Sequence, residues 1–176
     1  HCLRHYARGI AFANTGRMAQ ARSELAAFDQ AVAGLEGIER YLGNQPAEEI
    51  MPLARLVLEG EIEFKTGNQD RGLELLALAC EQEERIVYSE PAPWMMPARH
   101  AYGALLIAAG RYQDAEAVYL RDLEVYPANG WALPGLRDAL RGQKRFDEAV
   151  RMDESFRRAW KSADVMPPAS CYCGTP

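Results

Sequence analysis

Two glycines seven residues apart occur four times in this chain of 176 residues. These pairs are Gly9 with Gly16, Gly60 with Gly67, Gly103 with Gly110, and Gly135 with Gly142. In such a pair the first glycine lets two helices approach closely, and the second ends a helix in the left-handed conformation. The spacing therefore predicts a repeated unit of helix, tight turn and helix.

Apolar residues at intervals of three and four support a helix on each side of every turn. The predicted helical domain covers residues 1–165, and its four pairs span about 2–35, 46–88, 97–126 and 129–163. An insertion at 36–46 separates the first two pairs. A second insertion, Tyr88 to Pro97, is too rich in proline for a helix interior. Residues 166–176 are predicted to be a tail.

Composition favours one globular, water-soluble domain, since 48% of the residues are hydrophobic and 26% are charged. The net charge is -5, and the basic residues form no stripe interleaved with aromatic residues, so nucleic acid is excluded as a partner. No apolar run is long enough to cross a bilayer, so we expect no membrane partner and a cytoplasmic protein. Because the sequence begins at His1, we expect a fragment or a processed product.

The third pair carries the residues by which a repeat family is identified, and they are Tyr102, Gly103, Leu106, Gly110, Ala115, Tyr119 and Pro127. This pattern resembles the tetratricopeptide repeat (TPR), and Ala115 to Ala149 is the 34-residue period of that family. The earlier repeats are spaced more widely than this period. In the fourth repeat the 34-residue register places Lys144, and not Gly142, at the turn.

A narrower resemblance covers nearly the whole chain. The segments 5–9, 90–94, 129–133 and 159–165 are similar to the C-terminal part of larger bacterial TPR proteins of unassigned function. The resemblance implies an all-α, right-handed α-solenoid of about four antiparallel helix pairs with two insertions. It implies a scaffold that binds a protein or peptide, with no cofactor and no catalytic residue.

In TPR domains the first helix of each pair usually lines a concave groove. By position, the resemblance implies groove residues Tyr6, Ile10, Asn14, Glu61, Phe64, His100, Trp131 and Asp138. The alternative is that several of these side chains pack against further repeats upstream. In the second insertion, Trp94 with the nearby Arg99 and His100 suits a recognition loop. The alternative for Trp94 is an anchor that holds the connection in place.

Four cysteines raise a metal or redox hypothesis. Cys80 lies on an apolar helical stripe and is expected in the core. Cys171 and Cys173 supply two sulfurs that can hold copper(I) or zinc, with further ligands from Cys2 or an N-terminal histidine. The alternative is a disordered tail with free thiols.

No arrangement of nucleophile and base is evident, so we predict that the chain is not an enzyme. The primary hypothesis is an interaction scaffold. The alternatives are a thiol-dependent metal-binding or redox module, and an accessory region of an enzyme whose active site lies upstream. Self-association through the N-terminal repeat is a further prediction, based on the apolar residues Leu3, Tyr6 and Ile10.

Overall fold

The computed structural model describes residues 1–87, 89–90, 92–94, 96–167, 169–171 and 173. The chain folds into two compact units, His1–Ala98 and Arg99–Pro176, which are called unit 1 and unit 2. Within the described residues, regular structure consists of helices and one short β-hairpin.

The helices fall within the four ranges that the sequence indicates. Unit 1 contains α1 (Cys2–Asn14), α2 (Met18–Ala33), β1 (Tyr41–Leu42), β2 (Gln45–Pro46), α3 (Ala47–Lys65) and α4 (Gln69–Glu84). Unit 2 contains α5, which begins at the boundary residue (Ala98–Ala108), α6 (Tyr112–Val125), α7 (Ala132–Gly142) and α8 (Phe146–Ala159). Pro52 lies inside α3 without ending it, although a proline at this position removes one backbone hydrogen bond of the helix.

One backbone hydrogen bond recurs at the turn of every helical pair. The donors are the amides of Arg17, Asn68, Arg111 and Arg145, and the acceptors are the carbonyls of Phe12, Glu63, Leu106 and Leu140, at 2.8–3.0 Å. Each bond runs from the residue before the second helix to a carbonyl near the end of the first, as in a Schellman motif. The four pairs therefore turn in the same way.

The residue before each of these donors has a positive φ. Gly16, Gly67 and Gly110 have φ of 73°, 99° and 74°, and Lys144 has φ of 63°. Gly142 is instead the last residue of α7. The 34-residue register is therefore confirmed at the fourth turn, and the glycine spacing alone would misplace that turn by two residues.

Unit 1 is organised around α3, which packs against α1, α2 and α4. Leu58 and Ile62 of α3 meet Ala13 and Ala21 in one buried cluster. The backbones of α3 and α4 come so close that a Cβ on Gly72 would lie 2.7 Å from the carbonyl oxygen of Gly60. This close approach explains why glycine stands at position 72, where the family pattern has alanine.

The first insertion contains a hairpin that the sequence did not predict. Its strands pair in antiparallel register, with Tyr41 opposite Pro46 and Leu42 opposite Gln45. The second helical pair is predicted from about residue 46, and α3 begins at Ala47. Pro46 belongs to the hairpin and has the extended ψ of 137°, which is outside the helical range.

Unit 2 is organised around Tyr119 of α6, which is fully buried. Its ring fills the space left by two glycines, since a Cβ on Gly103 or on Gly135 would overlap with it. The Tyr119 hydroxyl is hydrogen-bonded to the Ser170 hydroxyl. The predicted tail is therefore part of unit 2 at its described residues, because Ser170, Cys171 and Cys173 are all buried.

We expect the substitution Lys144→Gly to stabilise the protein. A left-handed conformation costs a non-glycine residue about 1–2 kcal/mol, which the flexibility of glycine partly offsets, so the net gain is about 0.5–1 kcal/mol. Chemical denaturation measures it. Lys161→Gly is the matched control, because Lys161 is exposed and has no positive φ. A loss of stability in Lys144→Gly would contradict this account of the fourth turn.

Candidate functional site

The predicted groove residues of unit 1 come together around a buried carboxylate. Asn14 of α1 donates a hydrogen bond from Nδ2 to Oε2 of Glu61 on α3, at 2.7 Å. The same amide nitrogen lies 2.9 Å from the carbonyl oxygen of Ile10. Glu61 is only 3% exposed, and Phe64 is also buried. In this structure Glu61 and Phe64 are therefore not accessible to a ligand on the surface.

Burial raises the pKa of Glu61 to about 7. Two weaker effects act in the opposite direction, namely the hydrogen bond from Asn14 and the positive charge of Lys65. A carboxyl group whose pKa rises on folding favours the folded state most at low pH. The buried Glu61 carboxyl therefore lowers the free energy of unfolding near neutral pH.

Trp94 of the second insertion packs against Tyr6 of α1. The ring centroids are 5.1 Å apart with an interplanar angle of 66°, which is an edge-to-face contact. Trp94 is 5% exposed. This packing is that of an anchor for the connection after α4. Tyr88, the other aromatic residue of the predicted recognition loop, lies outside the described residues.

His100 of α5 lies in a buried polar cluster of unit 2, with Asp122 of α6 and Asn129. The side-chain nitrogen of Asn129 lies 2.8 Å from Asp122 Oδ2 and 3.0 Å from His100 Nε2. The Asn129 oxygen accepts from the backbone amide of Trp131, which fixes the amide orientation. Nε2 of His100 also lies 3.4 Å from Oδ1 of Asp122. The cluster joins α5 to α6 and to the start of α7.

The remaining predicted residues of unit 2 also have partners. Trp131 meets Trp160 edge to face, at 5.7 Å between ring centroids. Asp138 accepts from Arg137 at 2.7 Å, and Arg137 also pairs with Asp153 of α8 at 3.1 Å. Arg99 is buried. The Arg137–Asp153 ion pair and the Trp131–Trp160 contact hold α7 against α8.

The ten residues predicted to bind a ligand are thus divided between the two units, and half of them are buried. The buried ones are Glu61, Phe64, Trp94, Arg99 and His100. Tyr6, Ile10, Asn14, Trp131 and Asp138 are half-buried. Their assignment to ligand binding stays a prediction.

The two tail cysteines, Cys171 and Cys173, are paired with each other in a disulfide. A disulfide sulfur is no longer the thiolate that binds zinc or copper(I). Cys2 lies in unit 1 and is buried there, and Cys80 is half-buried. Metal binding by Cys171 and Cys173 requires both as free thiols, whereas in this structure they form a disulfide.

A pocket that the sequence did not predict lies in unit 1, where α2 ends, the hairpin begins and α3 starts. Its volume is about 620 Å³, which is within the usual range for ligand sites. Its lining includes the apolar residues Val32, Ala33, Leu35, Pro46, Ala47 and Met51, of which Ala47 and Met51 are buried. Ile38 and Tyr41 lie at the opening, with 49% and 59% of their surfaces exposed.

The charged lining of this pocket is mainly acidic. The lining contains three exposed carboxylates, those of Glu36, Glu39 and Glu48, and one guanidinium, that of Arg40. The sequence signal for this site was the break in helical pattern at 36–46, which indicates an insertion. It did not indicate a cavity, since that depends on how the hairpin folds back toward α2 and α3.

No described helix has the length and apolar character needed to span a membrane. No protein-family model matches the chain, and no curated protein matches it. Solved structures do resemble it. MamA of AMB-1 is 22% identical over 90% of this chain and 78% of its own, with a TM-score of 0.53. A MamA mutant is 23% identical over 90% of this chain and 77% of its own, also with a TM-score of 0.53.

MamA is a TPR-like helical repeat protein. At this level of identity the likeness shows the fold alone. The predicted fold class, an all-α chain of TPR-like helix pairs, is confirmed.

We expect stability to fall as the pH rises from about 4.5 to about 7, because the folded state keeps the Glu61 proton that the unfolded state releases. The shift corresponds to roughly 3 kcal/mol. Glu61→Gln keeps an acceptor for Asn14 and removes this titration, so it should be more stable than the wild type at pH 8. Urea denaturation between pH 4 and pH 8 measures both effects.

Glu49→Gln is the matched control, because Glu49 lies on the same helix and is exposed. It should keep the pH dependence of the wild type. An unchanged pH dependence in Glu61→Gln would show that Glu61 has an ordinary pKa.

Proposed function

We propose that this chain is a non-catalytic interaction module that binds a segment of another protein in the pocket of unit 1. The observation that carries the proposal is the pocket itself, which combines a concave apolar interior with exposed apolar side chains at its opening. Apolar surface of this kind releases water when a ligand side chain covers it.

The surroundings of the pocket support this proposal. Its inner face belongs to α2 and α3, and Arg55 of α3 holds the two helices together through Asp29 of α2, at 2.9 Å. Gln45 of the hairpin is buried and donates from its side-chain amide to the carbonyl of Val87, at 3.0 Å. A site held in this way loses little conformational entropy on binding.

The residue types in the pocket lining fit a binding site better than a catalytic site. It contains no serine, threonine, cysteine, histidine or lysine. These residues are the usual nucleophiles and many of the usual bases. The carboxylates at the opening are exposed to solvent.

A peptide-display selection tests this function. The immobilised chain is used to select binding peptides from a random library, and their affinities are measured by fluorescence anisotropy. We expect the double substitution Ile38→Ser, Tyr41→Ser to weaken binding at least tenfold, because it removes apolar contact area at the opening.

The matched control is Leu78→Ser, Phe146→Ser, which changes one exposed aliphatic and one exposed aromatic residue outside the pocket. Circular dichroism checks the fold of both variants. Equal loss of binding in both variants would contradict the proposed site, as would a selection that yields no binding peptide.

A second candidate function is a thiol redox role for Cys171 and Cys173, favoured by their buried disulfide. Two thiols that form a disulfide release two protons and two electrons, which glutathione disulfide can accept as it becomes two glutathione thiols. The neighbouring Ser170 is hydrogen-bonded to Tyr119 of α6, so the disulfide lies next to a buried contact of unit 2.

Equilibration in glutathione buffers of different ratios tests this role, with alkylation and mass spectrometry as the readout. We expect a reversible loss of two alkylated sites, at Cys171 and Cys173, as the buffer becomes oxidising. Metal analysis of the reduced protein addresses the copper and zinc hypothesis. Thiols that stay reduced at every ratio would contradict the redox role.

Three finer predictions belong to the same proposal. They are membership of a larger bacterial TPR protein, a cytoplasmic location, and self-association through the N-terminal repeat. Leu3, Tyr6 and Ile10 of α1 are half-buried, so part of their apolar surface remains for a second chain or a further repeat.

A further inference from the structure

We infer that the pocket of unit 1 binds an extended peptide segment in which a lysine or arginine lies next to apolar side chains. This inference rests on the proposed function and names the chemistry of the ligand. It is carried by two properties of one site, an apolar interior and an acidic opening.

The acidic character of the opening is not compensated within the chain. Among the described residues, the carboxylates of Glu36, Glu39 and Glu48 have no hydrogen-bond or ion-pair partner. With Arg40 as the one cation in the lining, the site carries two net negative charges.

Two other carboxylates of unit 1 do have charged or polar partners. Glu24 is bound by His5 at 2.7 Å and by Arg8 at 2.6 Å. Glu63 is bound by Arg22 at 3.0 Å and by the Asn68 amide at 2.6 Å. Glu24 and Glu63 are thus neutralised within the unit, whereas the three carboxylates of the pocket are available to an external cation.

One of the three carboxylates of the pocket also stabilises a helix. Glu48 lies in the first turn of α3, where a carboxylate interacts favourably with the helix dipole. Glu36 and Glu39 lie outside the helices, between α2 and β1, and have no such role. Their side chains flank Gly37 and Ile38, so charge and apolar surface alternate along this part of the opening.

Lysine and arginine side chains match this arrangement because each has an apolar stem and a charged end. The stem can cover Leu35 and Ile38 while the charge reaches the carboxylates at the opening. A neighbouring apolar side chain of the ligand then fills the interior over Met51. An acidic peptide or a nucleic acid would be repelled by the same carboxylates.

Fluorescence anisotropy with three designed peptides of equal length tests the inference. The first has two lysines beside leucine and phenylalanine, the second has glutamine in place of both lysines, and the third keeps the lysines but has serine in place of both apolar residues. We expect the first to bind about tenfold more tightly than either of the others at low salt.

The triple substitution Glu36→Gln, Glu39→Gln, Glu48→Gln should remove the preference for lysine. The matched control is Asp70→Asn, Glu154→Gln, Asp164→Asn, which changes the net charge equally at exposed positions outside the pocket. We expect this control to bind the lysine peptide as the wild type does.

Equal binding of the lysine and glutamine peptides, with both weakened by Ile38→Ser, Tyr41→Ser, would overturn the inference and leave the proposed function intact. Binding of no peptide would count against both. Displacement of the first peptide by spermine at an equal affinity would show that charge alone is recognised, which contradicts the requirement for an apolar neighbour. Concentration-dependent dimerisation blocked by the triple substitution would assign the pocket to a second copy of the chain instead.

Discussion

The rest of this structure depends on one turn, which is repeated four times. A backbone amide before the second helix binds a carbonyl near the end of the first helix, and the residue before this amide has a positive φ. This geometry lets the chain reverse direction through a short connection, so that the two helices of a pair lie side by side. Three turns use glycine for the left-handed residue, and the fourth uses Lys144 at a cost in backbone energy.

Close packing in each pair then fixes which residues can occupy the helix contacts. Glycines at 60 and 72 let α3 meet α4, and glycines at 103 and 135 make room for the Tyr119 ring. These contacts leave polar groups of the first helices inside the units. Glu61 and His100 are examples, and each is held by an asparagine side chain. Buried polar groups of this kind need such partners, since an unpaired one is costly.

This burial explains which parts of the structure the sequence could predict. The helices, the tight turns and the register of Lys144 follow from local rules of spacing and backbone conformation. The accessibility of the predicted groove residues does not follow from such rules, since Glu61, Phe64 and His100 are buried in this structure. Whether a polar residue on a helix faces solvent depends on packing between helices, which periodicity alone does not determine. The hairpin at 41–46 and its pocket were missed because two-residue strands leave little pattern.

The central claim of this account is that ligand recognition occurs at the first insertion, beside α2 and α3. The most direct test is a nuclear magnetic resonance titration of the isotopically labelled chain with the basic and apolar peptide. The account predicts that the shifted backbone amides cluster between residues 32 and 51. Shifts concentrated on α1, on the second half of α3 or within unit 2 would contradict it and would favour the first-helix groove.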